Sequence, residues 1–237
     1  MVRLDKFLSE MGVSTRTQTK KAVRAGAVSV NGVRASSSDM KIDEEKDKVV
    51  YFGEEIVYER FTYVMLNKPE GYISATDDPR KKTVLELLPE RLAARGLFPC
   101  GRLDIDTTGL LILTNDGQLA HSLLSPKRHA DKVYRFKTDV RLPQDACERM
   151  REGIVLEDGY ECLPADLSLD EVGCGGYITL REGKFHQIKR MTAALGAQTI
   201  ELERISFAGV QLDSSLARGE FRTLTREEIA LLEKYRI

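Results

Sequence analysis

The sequence of 237 residues predicts an α+β fold with a mainly antiparallel sheet and flanking helices, preceded by a small N-terminal module. Two observations support this prediction. Short strand patterns do not alternate strictly with crossover helices, as a parallel sheet would require. The charge is also uneven, because residues 1–52 contain ten lysines and arginines against seven acidic residues, whereas the rest of the chain is net acidic. A module of different composition therefore precedes the main domain.

The N-terminal module begins with two helix patterns. Apolar residues at i, i+3, i+4 and i+7 predict a first helix that ends at Gly12. Ser14 is the predicted N-cap of a second helix, and Gly26 is expected just past its end. The segment "AVSVNGVRA" then predicts a strand and a tight Asn-Gly turn. The polar segment "DEEKDKVVYFGEEIVYER" is expected to close the module and to contain the linker.

One face of the second helix is basic. Arg16, Lys20 and Arg24 recur at every fourth position and therefore share a face, and residues 11–38 contain no acidic residue. Most charged stripes are solvated helix faces. A helix that is merely soluble would often carry acidic partners four residues away, and this one does not. The pattern therefore favours an anionic partner for the module.

From about Phe61 onwards, short apolar runs alternate with turns. The strand patterns are, in chain order, "YVMLN", "LLILT", "KVYRFKTDV" and "GYITLREG". The helix patterns are "GQLAHSLLS", capped by Asp116, "PQDACERMREG", which ends at Gly153, and "HQIKRMTAALG", which ends at Gly196 and turns Ile188, Met191 and Leu195 inward. These elements supply the sheet and the flanking helices of the main domain.

Composition and spacing argue against several classes of protein. The apolar runs are far too short to span a bilayer, and the charged N-terminus lacks the apolar segment of a secretory signal. The four cysteines show no CxxC spacing and are expected to be reduced thiols of a cytoplasmic protein. The histidines lack metal-ligand spacing, and no glycine-rich nucleotide loop is present. We therefore expect neither a metal nor a cofactor.

The stretch "GRLDIDTTGLLILTNDG" places Arg102, Asp104 and Asp106 on a loop that runs into a buried strand. Such loops often carry catalytic groups, because the sheet holds them rigidly. A pair of carboxylates serves in glycoside hydrolysis and also in magnesium binding. Aspartates are equally common turn formers, with the arginine as a surface partner. Taken alone, the local sequence favours the turn.

Several motifs in a fixed order change this interpretation. The segment "RLDKFLSEMGVSTRTQTKKAVRAGAVSVNG" resembles the S4 RNA-binding module. The segments "LNKPEGY", "GRLDIDTTGLLILTNDG", "KVYRF" and "REGKFHQIKRM" together resemble the pseudouridine synthases, specifically the ribosomal branch with an N-terminal S4 module. The resemblance covers nearly the whole chain. It implies an S4-like RNA-binding module and linker at 1–59 and a catalytic domain at 60–237.

The resemblance also implies roles for individual residues. The aspartate directly after Arg-Leu is the catalytic residue, here Asp104, whereas Asp106 does not match and is expected to be a loop residue. Three further residues match the substrate-binding positions. Arg102 would push into the base stack, Tyr134 would stack on the flipped uracil, and Lys189 would pair with the catalytic aspartate.

Other residues near these motifs are expected to act less directly. Lys68 and Gly71 match a loop near the active site and are given no catalytic role, and His186 is expected to be structural. The S4-like module would bind RNA phosphates and so provide register rather than base identity. Its candidate RNA-binding residues are Arg3, Lys6, Arg16, Lys20, Lys21 and Arg24.

The implied activity is isomerisation of uridine to pseudouridine in 16S rRNA, bound within a small-subunit assembly intermediate, by a cytoplasmic monomer without a cofactor. The C-terminal segment "TREEIALLEKYRI" predicts an ordinary helix, not the basic tail of many large-subunit relatives, which favours 16S over 23S rRNA. Two alternatives stay open. One is a 23S rRNA enzyme of the same branch, and the other is a non-catalytic S4 RNA-binding assembly factor.

Overall fold

A computed structural model describes residues 1–125, 128 and 130–237 of the chain. The chain divides into two compact units. The small unit comprises Met1–Thr62 and Leu88–Leu97, and the large unit comprises Tyr63–Leu87 and Phe98–Ile237. Within the described residues, no helix is long and apolar enough to cross a membrane.

The small unit combines three helices with short strands. A four-stranded sheet has the order β3-β2-β5-β6, and β1 pairs with β4. The elements are β1 (Val2–Arg3), α1 (Leu4–Glu10), α2 (Arg16–Arg24), β2 (Val28–Val30), β3 (Val33–Arg34), β4 (Lys41–Ile42), β5 (Val49–Tyr51), β6 (Glu54–Ile56) and α3 (Glu90–Ala93). The two predicted helices and the segment that closes the module thus form one hydrophobic core, in which Leu4, Phe7 and Leu8 of α1 are buried.

The predicted start of α2 is wrong by one residue. Thr15 is the N-cap, not Ser14: the Thr15 hydroxyl accepts a hydrogen bond from the Gln18 N–H at 3.2 Å, and the Gln18 side chain accepts one from the Thr15 N–H at 2.7 Å. This reciprocal capping box needs Thr and Gln three positions apart, a spacing that Ser14 cannot provide. The predicted hairpin turn is confirmed, since Asn31 and Gly32 both have positive φ angles.

The large unit is built on one nine-stranded sheet. Its strands have the order β11-β12-β10-β13-β9-β7-β15, with β14 paired to β13 and β8 to β9. The strands are β7 (Tyr63–Lys68), β8 (Phe98–Pro99), β9 (Thr108–Thr114), β10 (Lys132–Thr138), β11 (Asp166–Leu169), β12 (Gly175–Leu180), β13 (Thr199–Phe207), β14 (Val210–Gln211) and β15 (Phe221–Thr223).

In the described part of this unit, four helices flank the sheet, and a 3₁₀ turn covers Val84–Leu87. They are α4 (Gly117–Leu124), α5 (Ala146–Glu152), α6 (Gln187–Ala194) and α7 (Arg226–Glu233). The Asp116 carboxylate accepts a hydrogen bond from the Leu119 N–H at 3.0 Å and caps α4 as predicted. Of the strand pairs in the described chain, β9 and β13 run parallel and the others antiparallel, so the predicted α+β class with a mainly antiparallel sheet is confirmed.

Strand β9 lies inside the sheet, between β13 and β7, and is buried from Gly109 to Thr114. Leu110, Leu111 and Leu113 have no exposed surface. At its start the neighbouring backbone comes very close, because a Cβ built on Gly109 would lie 2.3 Å from the carbonyl oxygen of Arg204. Gly109 also has a φ of +98°, which residues with a side chain rarely adopt. The loop that precedes β9 therefore enters a rigid, closely packed site.

Candidate active site

The candidate catalytic loop lies between β8 and β9 and carries both aspartates of the sequence motif. The side chain of Asp104 is 28% exposed, and that of Asp106 is 61% exposed. The Thr107 N–H donates to the Asp104 carbonyl oxygen at 3.1 Å, which closes a turn around Asp106. This turn holds the two carboxylates near one another.

Lys68, at the end of β7, anchors the loop from below. Its ammonium is buried and donates to the carbonyl oxygens of Asp104 at 2.9 Å, Ile105 at 3.3 Å and Thr107 at 2.8 Å, as well as to that of Pro69 at 3.1 Å. Four carbonyl groups thus point at one cation. Burial lowers the pKa of Lys68 to about 8, although the charges of Asp106 and Asp104 oppose this shift.

The segment that follows Lys68 fixes the same loop at two more points. The Gly71 N–H donates to the Ile105 carbonyl oxygen at 2.9 Å. The Ser74 hydroxyl accepts a hydrogen bond from the Leu103 N–H and donates one to the Leu103 carbonyl oxygen, both at 3.0 Å. Residues that the sequence linked only loosely to the site therefore determine the path of its backbone.

Lys189 of α6 reaches both carboxylates but lies closer to the unexpected one. Its ammonium donates to the two carboxylate oxygens of Asp106 at 2.6 and 2.7 Å, and it lies 3.7 Å from Asp104 Oδ2. The implied pair of Lys189 and Asp104 is therefore the longer of two contacts, and Asp106 is more than a turn former. Partial burial would raise the pKa of Asp106, but the hydrogen bonds and charge of Lys189 outweigh it and the pKa is lowered.

His186, expected to be structural, also approaches the candidate catalytic residue. Its Nε2 atom lies 3.7 Å from Asp104 Oδ1, and its ring stacks on the ring of Phe185 with a centroid distance of 3.8 Å. No local sequence pattern predicted this contact, because Asp104 and His186 are more than eighty residues apart in the chain. Asp104 thus has a histidine on one oxygen and a lysine near the other.

The remaining two predicted site residues differ in their exposure to solvent. Arg102 is exposed, two positions before Asp104, and forms no ion pair within the described part of the chain. Tyr134 lies in the middle of β10, opposite Ile178 and Arg204, and is 9% exposed. Arg102 is therefore free to contact a ligand, whereas the ring of Tyr134 is fixed by the sheet.

The candidate RNA-binding residues of the small unit fall into two groups. Arg3 and Lys6 have acidic partners: Arg3 donates to Asp5 at 2.7 and 3.0 Å, and Lys6 lies 3.5 Å from Glu10. The other four are exposed on α2 and form no ion pair with any described residue. They are Arg16, Lys20, Lys21 and Arg24. Four positive charges without an ion-pair partner among the described residues thus lie on one helix.

None of these groups forms a metal site. Among the described residues, no cluster of three or more histidine, cysteine or acidic side chains could hold a metal ion. At the two aspartates, the lysine ammonium contacts both carboxylates. The loop therefore offers chemistry based on a partly buried carboxylate, that of Asp104, beside a lysine ammonium.

A basic helical unit followed by a carboxylate on an anchored loop suits an enzyme that acts on RNA. Family models agree: residues 62–171 match RNA pseudouridylate synthase, and residues 2–49 match the S4 domain. The chain belongs to the pseudouridine synthase family and isomerises uridine to pseudouridine in RNA.

Relatives of known name match over nearly their full lengths. The chain is 42% identical to the uncharacterized RNA pseudouridine synthase YtzG of Bacillus subtilis, covering 98% of this chain and 99% of the relative. It is 40% identical to ribosomal small subunit pseudouridine synthase A of Escherichia coli K12, covering 97% and 99%. A crystal structure of pseudouridylate synthase is 38% identical, covers 98% of this chain and 100% of its own, and superposes with a TM-score of 0.69.

Lys68 predicts an alkaline limit to activity. A neutral amine has two N–H groups for four carbonyl oxygens, so the loop should loosen and activity should fall as the pH rises through about 8, the pKa of this group. Lys68→Met lacks the cation at every pH. It should lower the single-turnover rate about 10²-fold, because misplacement of a catalytic group by about 1 Å costs that much.

The measurement is the single-turnover rate on unmodified RNA as a function of pH. Lys132→Met is the matched control, because burial also lowers the pKa of Lys132 to about 8, but its ammonium binds the Ala130 carbonyl oxygen at 2.9 Å, away from the loop. The control should keep the alkaline decline. If Lys68→Met keeps both its rate and this decline, the assigned role of Lys68 is incorrect.

Proposed function

We propose that this enzyme converts one uridine of 16S rRNA to pseudouridine, with Asp104 as the catalytic carboxylate. The observation that carries the proposal for the substrate is the 40% identity, over nearly the whole chain, to relatives named ribosomal small subunit pseudouridine synthase A. The observation that supports Asp104 is its place on a loop that Lys68, Gly71 and Ser74 hold by six hydrogen bonds, with the Lys189 ammonium nearby.

The reaction needs little besides one ionised carboxylate. The N1–C1′ bond of uridine breaks, the uracil turns, and a C5–C1′ bond forms, while a proton leaves C5 and another joins N1. No atom is lost and no water is consumed. Asp104 could attack C1′ or C6, or remove the 2′ proton to give a glycal. Each route requires the carboxylate to be charged at the start.

Lys189 and Asp106 would act on that carboxylate together. The ammonium of Lys189 lies 3.7 Å from Asp104 and is held by two short hydrogen bonds to Asp106. We assign Asp106 as a positioning residue, which fixes the lysine, and Lys189 as the cation that pairs with Asp104.

Arg102 and Tyr134 would handle the base. A uridine within structured RNA must be flipped out of its stack, at a cost of a few kcal/mol. Arg102 is exposed beside Asp104 and is placed in our proposal in the vacated stack. Tyr134 would stack on the flipped uracil, an interaction that contributes about 1–3 kcal/mol per base. Tyr134 is buried on β10, a strand paired on both sides.

The small unit would supply affinity rather than sequence recognition. Phosphate contacts by lysine and arginine position a protein on RNA without reading its bases. The four exposed cations of α2 have this role in our proposal, with a smaller contribution from Arg3 and Lys6, whose charges are already paired. We further propose a boundary between the RNA-binding module and the catalytic domain near residues 59 and 60, a monomeric enzyme without a cofactor, and action in the cytoplasm, where ribosomal RNA is found.

The substrate assignment predicts the loss of a single modification. Pseudouridines should be mapped in the ribosomal RNA of cells that lack this protein, and one should be absent from 16S rRNA. Wild-type protein should restore it, and Asp104→Asn should not. Loss of a pseudouridine from 23S rRNA instead would contradict the 16S assignment. An unchanged map in both RNAs would support a non-catalytic assembly factor.

The two aspartates should respond differently to substitution. Asp104→Asn keeps the shape of the side chain but removes its charge, so isomerisation should fall below detection while RNA affinity stays within about twofold. Asp106→Asn leaves Asp104 intact and frees Lys189 to approach it, so the single-turnover rate should fall less than about tenfold. Equal losses in the two variants would show that the roles are assigned incorrectly.

The basic face of α2 should set the salt dependence of RNA binding. Replacing Arg16, Lys20 and Arg24 with alanine should weaken binding and reduce the slope of log K against log salt by about 0.7–0.9 for each lost phosphate contact. The control is Lys46→Ala, because Lys46 is exposed but lies 3.7 Å from Asp43. An unchanged slope in the triple variant would show that this face does not contact RNA phosphates and is an ordinary solvated helix face.

A further inference from the structure

An exposed aromatic ring stands beside the catalytic loop with no part in the steps above. Phe185 is 71% exposed, which is unusual for a phenylalanine, because its ring has no polar group to interact with water. One face of the ring is covered by His186, with the two rings 18° from parallel. The high exposure of Phe185 shows that its opposite face is open.

The local backbone builds this stack in advance. Adjacent side chains on an extended segment point to opposite sides. Here, Phe185 and His186 are the two central residues of a turn closed by the hydrogen bond from the Gln187 N–H to the Lys184 carbonyl oxygen at 3.2 Å. His186 has a φ of +49°, a conformation with a steric cost for a residue with a side chain. The strained turn brings two neighbouring rings face to face.

Buried hydrogen bonds hold this turn in place. The side chain of Gln187, 4% exposed, accepts from the Lys184 N–H at 2.9 Å and donates to Glu182 at 2.7 Å. The first residues of α6 follow directly, so the helix continues from the turn. A ring held in this way loses little conformational entropy when a ligand stacks on it.

The position of the stack indicates which ligand it receives. His186 lies 3.7 Å from the proposed catalytic carboxylate, and the ring of Phe185 stacks on the ring of His186. The flipped uracil is assigned to Tyr134, so the open face of Phe185 is available for a different base. Flat aromatic surfaces bind nucleobases without regard to sequence, since each base has a π-face. The exposed Lys184 in the same turn also adds positive charge, as a nucleic acid requires.

We propose that Phe185, backed by His186, is a stacking platform for one unpaired base next to the target uridine. The inference rests on the proposed function in that the substrate is RNA with a flipped uridine. It adds that the RNA is opened at a second position, and that a neighbouring nucleotide contributes to substrate choice. The target would therefore lie in a loop or a distorted stem, not in a continuous helix.

The test pairs a protein variant with an altered RNA. The substrate is the protein-free rRNA fragment, 16S or 23S, that contains the pseudouridine lost in cells lacking the enzyme. Phe185→Leu should raise the RNA concentration for half-maximal single-turnover rate by about 5-fold to 150-fold, the range for one stacked base, with little change in the maximal rate. Phe185→Trp should stay within about threefold of wild type.

The matched control is Tyr177→Leu. Tyr177 is also an exposed aromatic residue, 49% exposed, and it is next to Ile178, so it lies on the other face of β12 from the residue that pairs with Tyr134. This variant should bind the fragment as the wild type does. Because both replaced rings are exposed, melting temperatures should be unchanged.

Fragments with a single abasic site at each position flanking the target complete the test. At one position, loss of the base should weaken binding by wild-type enzyme as much as Phe185→Leu does, and should weaken the variant no further. Additive losses at every position would overturn the platform. So would a Phe185→Leu defect seen with ribosomal particles but not with free RNA, which would point to a protein partner. Turnover of the fragment by the wild type tests the proposed function separately.

Discussion

The geometry of the candidate active site depends on a lysine ammonium buried beneath a loop. A cation in the interior is unfavourable unless polar groups replace its water. At Lys68 those groups are carbonyl oxygens of the loop itself, three of them from consecutive or near-consecutive residues between 104 and 107. The need to solvate the ammonium thus folds the loop around it. Lys68 binds only backbone oxygens of the loop. The carboxylates of Asp104 and Asp106 are not used in these bonds, and both contact the Lys189 ammonium.

The sheet gives this loop a fixed end. Gly109 passes so close to Arg204 that a single added methyl group would collide with backbone. Arg204 is itself buried and donates from Nε to the Leu110 carbonyl oxygen at 2.8 Å, with its guanidinium over the ring of Phe207 at 5.0 Å. The loop is therefore held at two places: by the Lys68 ammonium along its backbone, and by the close packing of Gly109 against Arg204 at its end.

Much of the fold could be predicted from the sequence, because most elements follow simple periodicity and have clear caps. Strand β13 could not, because some of its buried residues are polar and one of its apolar residues is exposed. Leu202, Arg204 and Ser206 face inward, whereas Ile200 is 61% exposed. An arginine in a core is compatible with burial only where partners exist, and those partners lie on β9, about ninety residues earlier in the chain.

The sequence could predict which residues belong to the candidate site better than it could predict which of them contact one another. Motifs indicated Asp104 and Lys189, but the preference of Lys189 for Asp106 depends on a turn that only the folded chain forms. The contacts of Lys68 could not be predicted from the sequence either. As a lysine at the end of an apolar strand it would be expected in solvent, and nothing local shows that four carbonyl groups converge on it. Long-range geometry, absent from any window of sequence, decides both.

The parallel pairing of β9 with β13 has a consequence for how the enzyme matures. Strands β7, β8 and β9 can associate through local antiparallel contacts, whereas the partner that fixes the start of β9 arrives much later in the chain. Contacts of long sequence separation form slowly, because the intervening chain must be ordered first. Helix α6, which carries Lys189, precedes β13 directly. We therefore expect the candidate catalytic loop and the Lys189 ammonium to come together late in folding, so that a partly folded chain lacks an assembled site.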